Sequence, residues 1–249
     1  MSVIGMSVAA PTKQPEHIAG IILAGGLSRR MFAADAQAGA QRDAQQPALR
    51  DKGLLEIDNK PMLAHVIERI APQVGALAIN ANGDASRFAA FGLPVVPDTI
   101  DGFVGPLAGV LAGMRWARAH APGARWVASV SADAPFLPED LVVRLEAAVA
   151  QRGSAEGARG NAIAIAQSRG ELHPVIGLWP VALADDLDAA LRSGLRKVLA
   201  WTDKHGTVPV HFEMTPAGNE AVDPFFNANT PEEMAEARRL MSQIAGAPT

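Results

Sequence analysis

Short unbroken apolar runs alternate along the chain with longer stretches in which apolar residues recur every three or four positions. The first run, Ile18–Leu23, is closed by Gly25-Gly26. An apolar run of this length reads as a strand buried on both faces, as in a parallel sheet. Similar runs stand at Ala76–Ile79, Pro94–Val96, Trp126–Val130 and Ala162–Ala166. Between them, Leu107, Val110, Leu111, Met114 and Ala117, and then Leu141, Leu145 and Val149, follow the spacing of a helix face turned to a core. Pro61 fits the first position of a helix through Ile70, and Thr230-Pro231-Glu232-Glu233 combines a threonine cap, a first-turn proline and a capping-box glutamate.

This alternation predicts one α/β domain over residues 18–245: a Rossmann-like, open, mostly parallel sheet with helices on both faces and ligands at the carboxyl ends of its strands. Met1–His17, with Pro11 and Pro15, reads as a flexible leader. Phe32–Arg50, rich in Ala, Gln and Asp, reads as an inserted loop with too few apolar anchors to be well ordered without ligand.

Composition narrows the function. Hydrophobic residues at 49% and charged residues at 19% allow an ordinary core. A formal charge of -4 gives no footprint for duplex nucleic acid or an anionic membrane, so neither is an expected partner. The absence of cysteine excludes disulfides, thiolate metal sites and a cysteine nucleophile, and suits a reducing, cytoplasmic setting. No window approaches the roughly 18 uninterrupted apolar residues of a membrane span.

The segment after the first strand, Leu23-Ala24-Gly25-Gly26-Leu27-Ser28-Arg29-Arg30-Met31, carries candidate chemistry. Two glycines let the backbone approach a ligand and turn N–H groups toward an anion, and paired arginines supply phosphate-matching forks. It is no P-loop, since no Gly-Lys-Ser/Thr follows, and it lacks the third glycine of the dinucleotide fingerprint. Asp133, just beyond the Trp126–Val130 run, would emerge at the carboxyl edge, where nucleotidyl transfer needs a carboxylate for a hard cation. Lys52 stands before an expected Leu54-Leu55 strand, across a loop from the glycines. Taken singly, each has an ordinary reading: a basic Gly-Gly turn, a turn carboxylate, a solvated lysine.

The remaining motifs are Asp51-Lys52-Gly53-Leu54-Leu55-Glu56-Ile57, Lys60-Pro61-Met62-Leu63, Asn80-Ala81-Asn82, Pro97-Asp98, Gly105-Pro106-Leu107-Ala108-Gly109, Ala132-Asp133-Ala134-Pro135-Phe136-Leu137 and Asn227-Ala228-Asn229-Thr230-Pro231-Glu232-Glu233. In this order, from about Ile18 to the last helix, the sequence resembles the molybdenum cofactor guanylyltransferases. The resemblance implies the nucleotide-diphospho-sugar transferase fold and transfer of GMP from GTP to the molybdenum-molybdopterin cofactor with magnesium. Leu23, Ala24, Gly25, Gly26 and Arg30 would hold GTP and its phosphates. Lys52 would neutralise the phosphates, Asn80 and Asp98 would contact the nucleoside, and Asp133 would bind magnesium. His173, Asn227 and Asn229 would lie on the pterin side. Proteins that deliver and receive the cofactor are the implied macromolecular partners.

One departure stands out: the family joins Arg-Arg-Met to Asp-Lys-Gly by a very short glycine-containing loop, where this chain carries Phe32–Arg50. Three alternatives remain at this level. Cytidylyl relatives show Leu-Ala-Ala-Gly where this chain has Leu-Ala-Gly-Gly, which favours guanine. Sugar-1-phosphate nucleotidyltransferases commonly add C-terminal domains. A non-catalytic guanine-nucleotide sensor would not need both Lys52 and Asp133.

Overall fold

The structure, a computed structural model, describes residues 14–25, 51–100, 102, 105–156 and 161–245. Most of the expected leader, the 32–50 insert, and Gly26, Arg29 and Arg30 of the candidate cradle lie outside these residues.

In chain order the elements are β1 (Ile18–Leu23), β2 (Glu56–Ile57), β3 (Lys60–Pro61), α1 (Met62–Ile70), β4 (Ala76–Asn80), β5 (Val95–Val96), α2 (Pro106–His120), β6 (Trp126–Ser131), α3 (Leu141–Glu156), β7 (Ile163–Ser168), β8 (Glu171–Pro180), α4 (Ala184–Arg192), α5 (Val198–His205), β9 (Thr207–His211), β10 (Thr215–Ala217), β11 (Glu220–Val222) and α6 (Pro231–Ala245). Seven strands form one sheet in the order β5-β4-β1-β6-β8-β7-β9. All its pairings are parallel except those of β8, which is antiparallel to both β6 and β7. The sheet is thus mostly parallel, as expected, with one reversed strand near the middle.

Why the strands read as unbroken apolar runs is visible in β1. Ile18 and Ile22 pack into one core with α1 and α3, while Ala19 and Ile21 pack into another with α2, α4 and Trp201 of α5. The same alternation sends Leu77 and Ile79 of β4 to the first core and Ala78 to the second. β1 and β4 are covered on both faces, so both sets of their side chains must be apolar. A third, smaller cluster seats α6 on β2 and on the β10–β11 hairpin through Ile57, Ala217, Val222, Met234 and Leu240.

Two tight hairpins depend on left-handed backbone. Asp58 and Asn59 have φ of 52° and 58° between β2 and β3, and Arg169 and Gly170 have φ of 51° and 82° between β7 and β8. Two consecutive positive φ values give the turn whose twist matches paired strands. The β2–β3 hairpin also corrects the expected helix start. Pro61 pairs with Glu56 and precedes the helix with ψ of 138°, so α1 begins at Met62. The capping box of α6 forms as read: Glu233 N donates to Thr230 Oγ1 at 3.1 Å, and Glu233 Oε2 accepts from Thr230 N at 3.0 Å.

Candidate active site

Leu23 pairs in register with Asn80 of β4 on one side and with Ser131 of β6 on the other. The carboxyl ends of three neighbouring strands therefore lie level. With strands about 4.8 Å apart, Asn80 and Ser131 flank the end of β1 at a separation of about 10 Å. Ala24 and Gly25 leave the sheet between them, with Ala24 N donating to Asn80 O at 2.9 Å. Among the described residues, a Cβ placed on Gly25 would meet only Asn80 Oδ1, at 3.9 Å.

The β4 side forms a rigid polar corner. Asn80 is 4% exposed, and its amide nitrogen donates to Val96 O and to Asp98 Oδ1, each at 3.0 Å. Both amide protons are thereby committed. Asp98 also accepts from Asn82 Nδ2 at 2.8 Å, while its backbone N donates to Asn82 Oδ1 at 2.9 Å. Asn80 fits against α2 only because residue 109 is glycine: a Cβ there would stand 2.3 Å from Asn80 Oδ1 and 2.7 Å from Leu23 Cδ2.

The β6 side holds the charged groups. Asp133 follows β6 by two residues, and its Oδ1 accepts from the Ser131 hydroxyl. Its Oδ2 accepts from Lys52 Nζ at 3.2 Å, and Lys52 also donates to Asn229 Oδ1. Lys52 does not precede a Leu54-Leu55 strand. It opens a 3-10 turn, Lys52–Leu54, and pairing starts only at Glu56. Gly53 is buried in that turn, where a Cβ would make ordinary contact with Ala132 Cβ at 3.4 Å and Leu63 Cβ at 3.5 Å. Asp51 lies against the Arg87 guanidinium, a pair only 16% and 15% exposed, and Arg87 also donates to Asn82 O at 2.7 Å. Arg87 thus ties the lysine turn to the polar corner.

The third group stands on the β7–β8 hairpin and the segment before α6. His173 lies inside β8, with its ring 4.7 Å from that of Phe225. Burial pushes its pKa below the usual histidine value, against the opposing pull of Asp223 and Glu171. Asn229 joins Lys52 and Asp133, whereas Asn227 has a buried Oδ1 with no partner among the described residues. Ala228 N donates to Asp133 O at 3.3 Å, which docks this segment onto the loop after β6.

Residues 20–208 match the family model described as MobA-like NTP transferase domain. The chain is 47% identical over 224 residues to the molybdenum cofactor guanylyltransferase of Bradyrhizobium sp. (strain ORS 278), covering 90% of this chain and 92% of that protein. It belongs to the molybdenum cofactor guanylyltransferase family. The fold is also that of the molybdopterin-guanine dinucleotide biosynthesis protein A of Archaeoglobus fulgidus, at a TM-score of 0.60 and 19% identity over 91% of this chain and 99% of that one. A Mycobacterium tuberculosis H37Rv protein solved in complex with manganese shares it at a TM-score of 0.53 and 17% identity, over 91% of this chain and 98% of that one.

Within this guanylyltransferase-family chain, the structure brings Lys52, Asp133 and Asn229 together, and Asn80 with Asp98, on either side of Leu23, Ala24 and Gly25. Among the described residues His173 bonds to neither group; its polar partner is Ser168. Sequence reading missed Ser131, Arg87, Ser168 and Asp223. Ser131, two residues before Asp133 at a strand end, carried a local signal. The other three depend on the Arg87–Asp51 and Ser168–Asp223 pairings, 36 and 55 residues apart, which no local pattern shows.

Proposed function

We propose that this chain transfers GMP from GTP to molybdenum-bearing molybdopterin, forming the guanine dinucleotide cofactor and pyrophosphate. The observation that carries the reading is the Lys52–Asp133 pair at the end of β6, beside the end of β1 that leads into the Gly25 turn. The reaction forms a bond between an acceptor phosphate oxygen and the α-phosphorus of GTP. It breaks the bond from that phosphorus to the β-phosphate oxygen, and pyrophosphate leaves with the electron pair. Such a transfer needs in-line positioning and charge neutralisation more than covalent participation by the protein.

The residues divide that work. The turn at Leu23, Ala24 and Gly25, continued by Gly26 and Arg30, receives the nucleotide, and the Asn80–Asp98 corner bounds the nucleoside end. Lys52 offsets phosphate charge; Asn229, which it touches, sits where the acceptor side begins, with Asn227 and His173 beyond. Asp133 suits magnesium. Among the described residues no three His, Cys, Asp or Glu cluster as a closed metal site, and one carboxylate with phosphate oxygens and water is the donor set this ion takes. Bound there, it would supply Lewis-acid neutralisation of the phosphates. The manganese complex of the structural neighbour supports a divalent ion.

Gly25 in place of the cytidylyl alanine favours GTP over CTP, because it leaves room for the larger base. Among the described residues no helix is long and apolar enough to cross a membrane, and with the absence of cysteine this supports work in the cytoplasm. The test is to incubate the protein with GTP, magnesium and molybdenum-loaded molybdopterin. One pyrophosphate per dinucleotide formed is expected. GTP consumption that does not depend on the acceptor would overturn the reading.

A further inference from the structure

A polar chain on the β7–β8 hairpin has no part in the nucleotide site. Ser168, the last residue of β7, is 1% exposed. Its Oγ lies 2.7 Å from His173 Nε2 and 2.8 Å from both carboxylate oxygens of Asp223. A hydroxyl has a single proton, and a carboxylate can only accept. The Ser168 proton therefore goes to Asp223, and the proton between Ser168 and His173 comes from Nε2. Burial favours the neutral imidazole, so the ring carries that one N–H and leaves Nδ1 as an acceptor. No hydrogen bond to Nδ1 forms among the described residues.

This order of groups is the reverse of a nucleophilic serine site, in which the imidazole must take the hydroxyl proton. Here the imidazole donates, and the serine is sealed from solvent. The chain is a device for holding an orientation. Asp223 extends it in a second direction: its Oδ1 also accepts from Phe225 N at 2.9 Å, and the Phe225 ring packs against His173 on one side and Phe212 on the other, at 4.7 Å and 5.3 Å. The segment fixed in this way continues into Asn227, with its unpartnered Oδ1, and into Asn229 at Lys52.

We infer that Asp223 is a positioning residue for the acceptor: through Ser168 it holds His173 with Nδ1 presented to an N–H or amino group of the acceptor's heterocycle, and through the Phe225 amide it sets the segment carrying Asn227 and Asn229. The inference rests on the guanylyl-transfer reading for the identity of the acceptor. It does not rest on it for the tautomer.

The test uses the full chain in two experiments. Long-range proton–nitrogen NMR of the imidazoles should show His173 protonated on Nε2 and bare on Nδ1. Ser168→Ala, which deletes only the bridging oxygen, should release that preference. In steady-state transfer, Ser168→Ala and Asp223→Asn should each raise KM for molybdenum-loaded molybdopterin about tenfold or more, the scale of one well-placed hydrogen bond, while GTP affinity stays within about twofold. Asp223→Glu, which keeps the carboxylate, should recover part of the loss. If Asp223→Asn fails to fold, the serine variant decides alone. Nδ1 protonation in the unmodified protein, or GTP and acceptor affinities falling together, would overturn the inference. Absence of any transfer by the unmodified protein would instead overturn the proposed function, leaving the NMR result to judge the positioning role.

Discussion

Lys52 Nζ stands 3.2 Å from Asp133 Oδ2 although the two residues are 81 positions apart, and the same ammonium reaches Asn229, 177 positions away. Three segments thus converge on one cation beside the end of β1. The arrangement makes a direct prediction for Asp133. Asp133→Asn keeps the shape and removes the charge, so turnover at saturating GTP and magnesium should fall by about two orders of magnitude or more, as loss of one electrostatic catalytic group does. GTP should still bind through the glycine turn. Guanylyl transfer measured beside direct GTP titration checks this; near-normal turnover removes Asp133 from the mechanism.

Gly109→Ala should act at the other end of the nucleotide. The new Cβ would lie 2.3 Å from Asn80 Oδ1, so the asparagine must move and give up its bonds to Val96 and Asp98. We expect a stability loss of about 1–3 kcal/mol, the cost of overpacking, together with a raised KM for GTP. Gly153→Ala in α3 is the control, since its Cβ would meet nothing within 4 Å and it should be neutral or slightly stabilising. Thermal melts and nucleotide titrations of the two variants distinguish them, and equal behaviour would contradict the packing argument.

Arg87 and Asp51 should be energetically coupled. The pair is mostly buried and links the turn carrying Lys52 to the Asn82–Asp98 corner. A double-mutant cycle with Arg87→Met and Asp51→Asn should return a coupling energy of about 1–2 kcal/mol, above the range of an exposed pair. Additive losses would show that the contact contributes nothing of its own.

His173 should titrate below pH 6.5, because burial outweighs the attraction of Asp223 and Glu171, the two charged groups that oppose it. Its folded pKa is depressed, so its contribution to stability is present above the unfolded value. That contribution is lost as pH falls through the folded value. An NMR pH titration following the His173 ring reads this directly, and a midpoint at or above 6.5 would contradict it.

Much of this was legible in the chain because burial on both faces leaves a simple trace. The Ile18–Leu23 run marks β1 to the residue, and the Trp126–Val130 run places Asp133 at a strand end. Direction leaves no such trace: nothing in the apolar Val175–Trp179 stretch says that β8 runs against its neighbours. Leu54 and Leu55 look like a strand by hydrophobicity, yet the backbone turns in a 3-10 helix over Lys52–Leu54 and pairing begins only at Glu56. Within the site, residues on strand-end motifs were recognised, while Ser168 and Asp223 were not. A serine closing a strand and an aspartate before a proline acquire meaning only when folding brings them to the same imidazole.

The central claim is selection of GTP for transfer to the pterin acceptor. Equal concentrations of GTP and CTP should be offered together with magnesium and molybdenum-loaded molybdopterin, and the dinucleotide products resolved by mass. The guanine product should dominate by about tenfold or more, the discrimination that one misplaced or missing polar contact supports. Equal guanine and cytosine products, or a cytosine excess, would contradict the account.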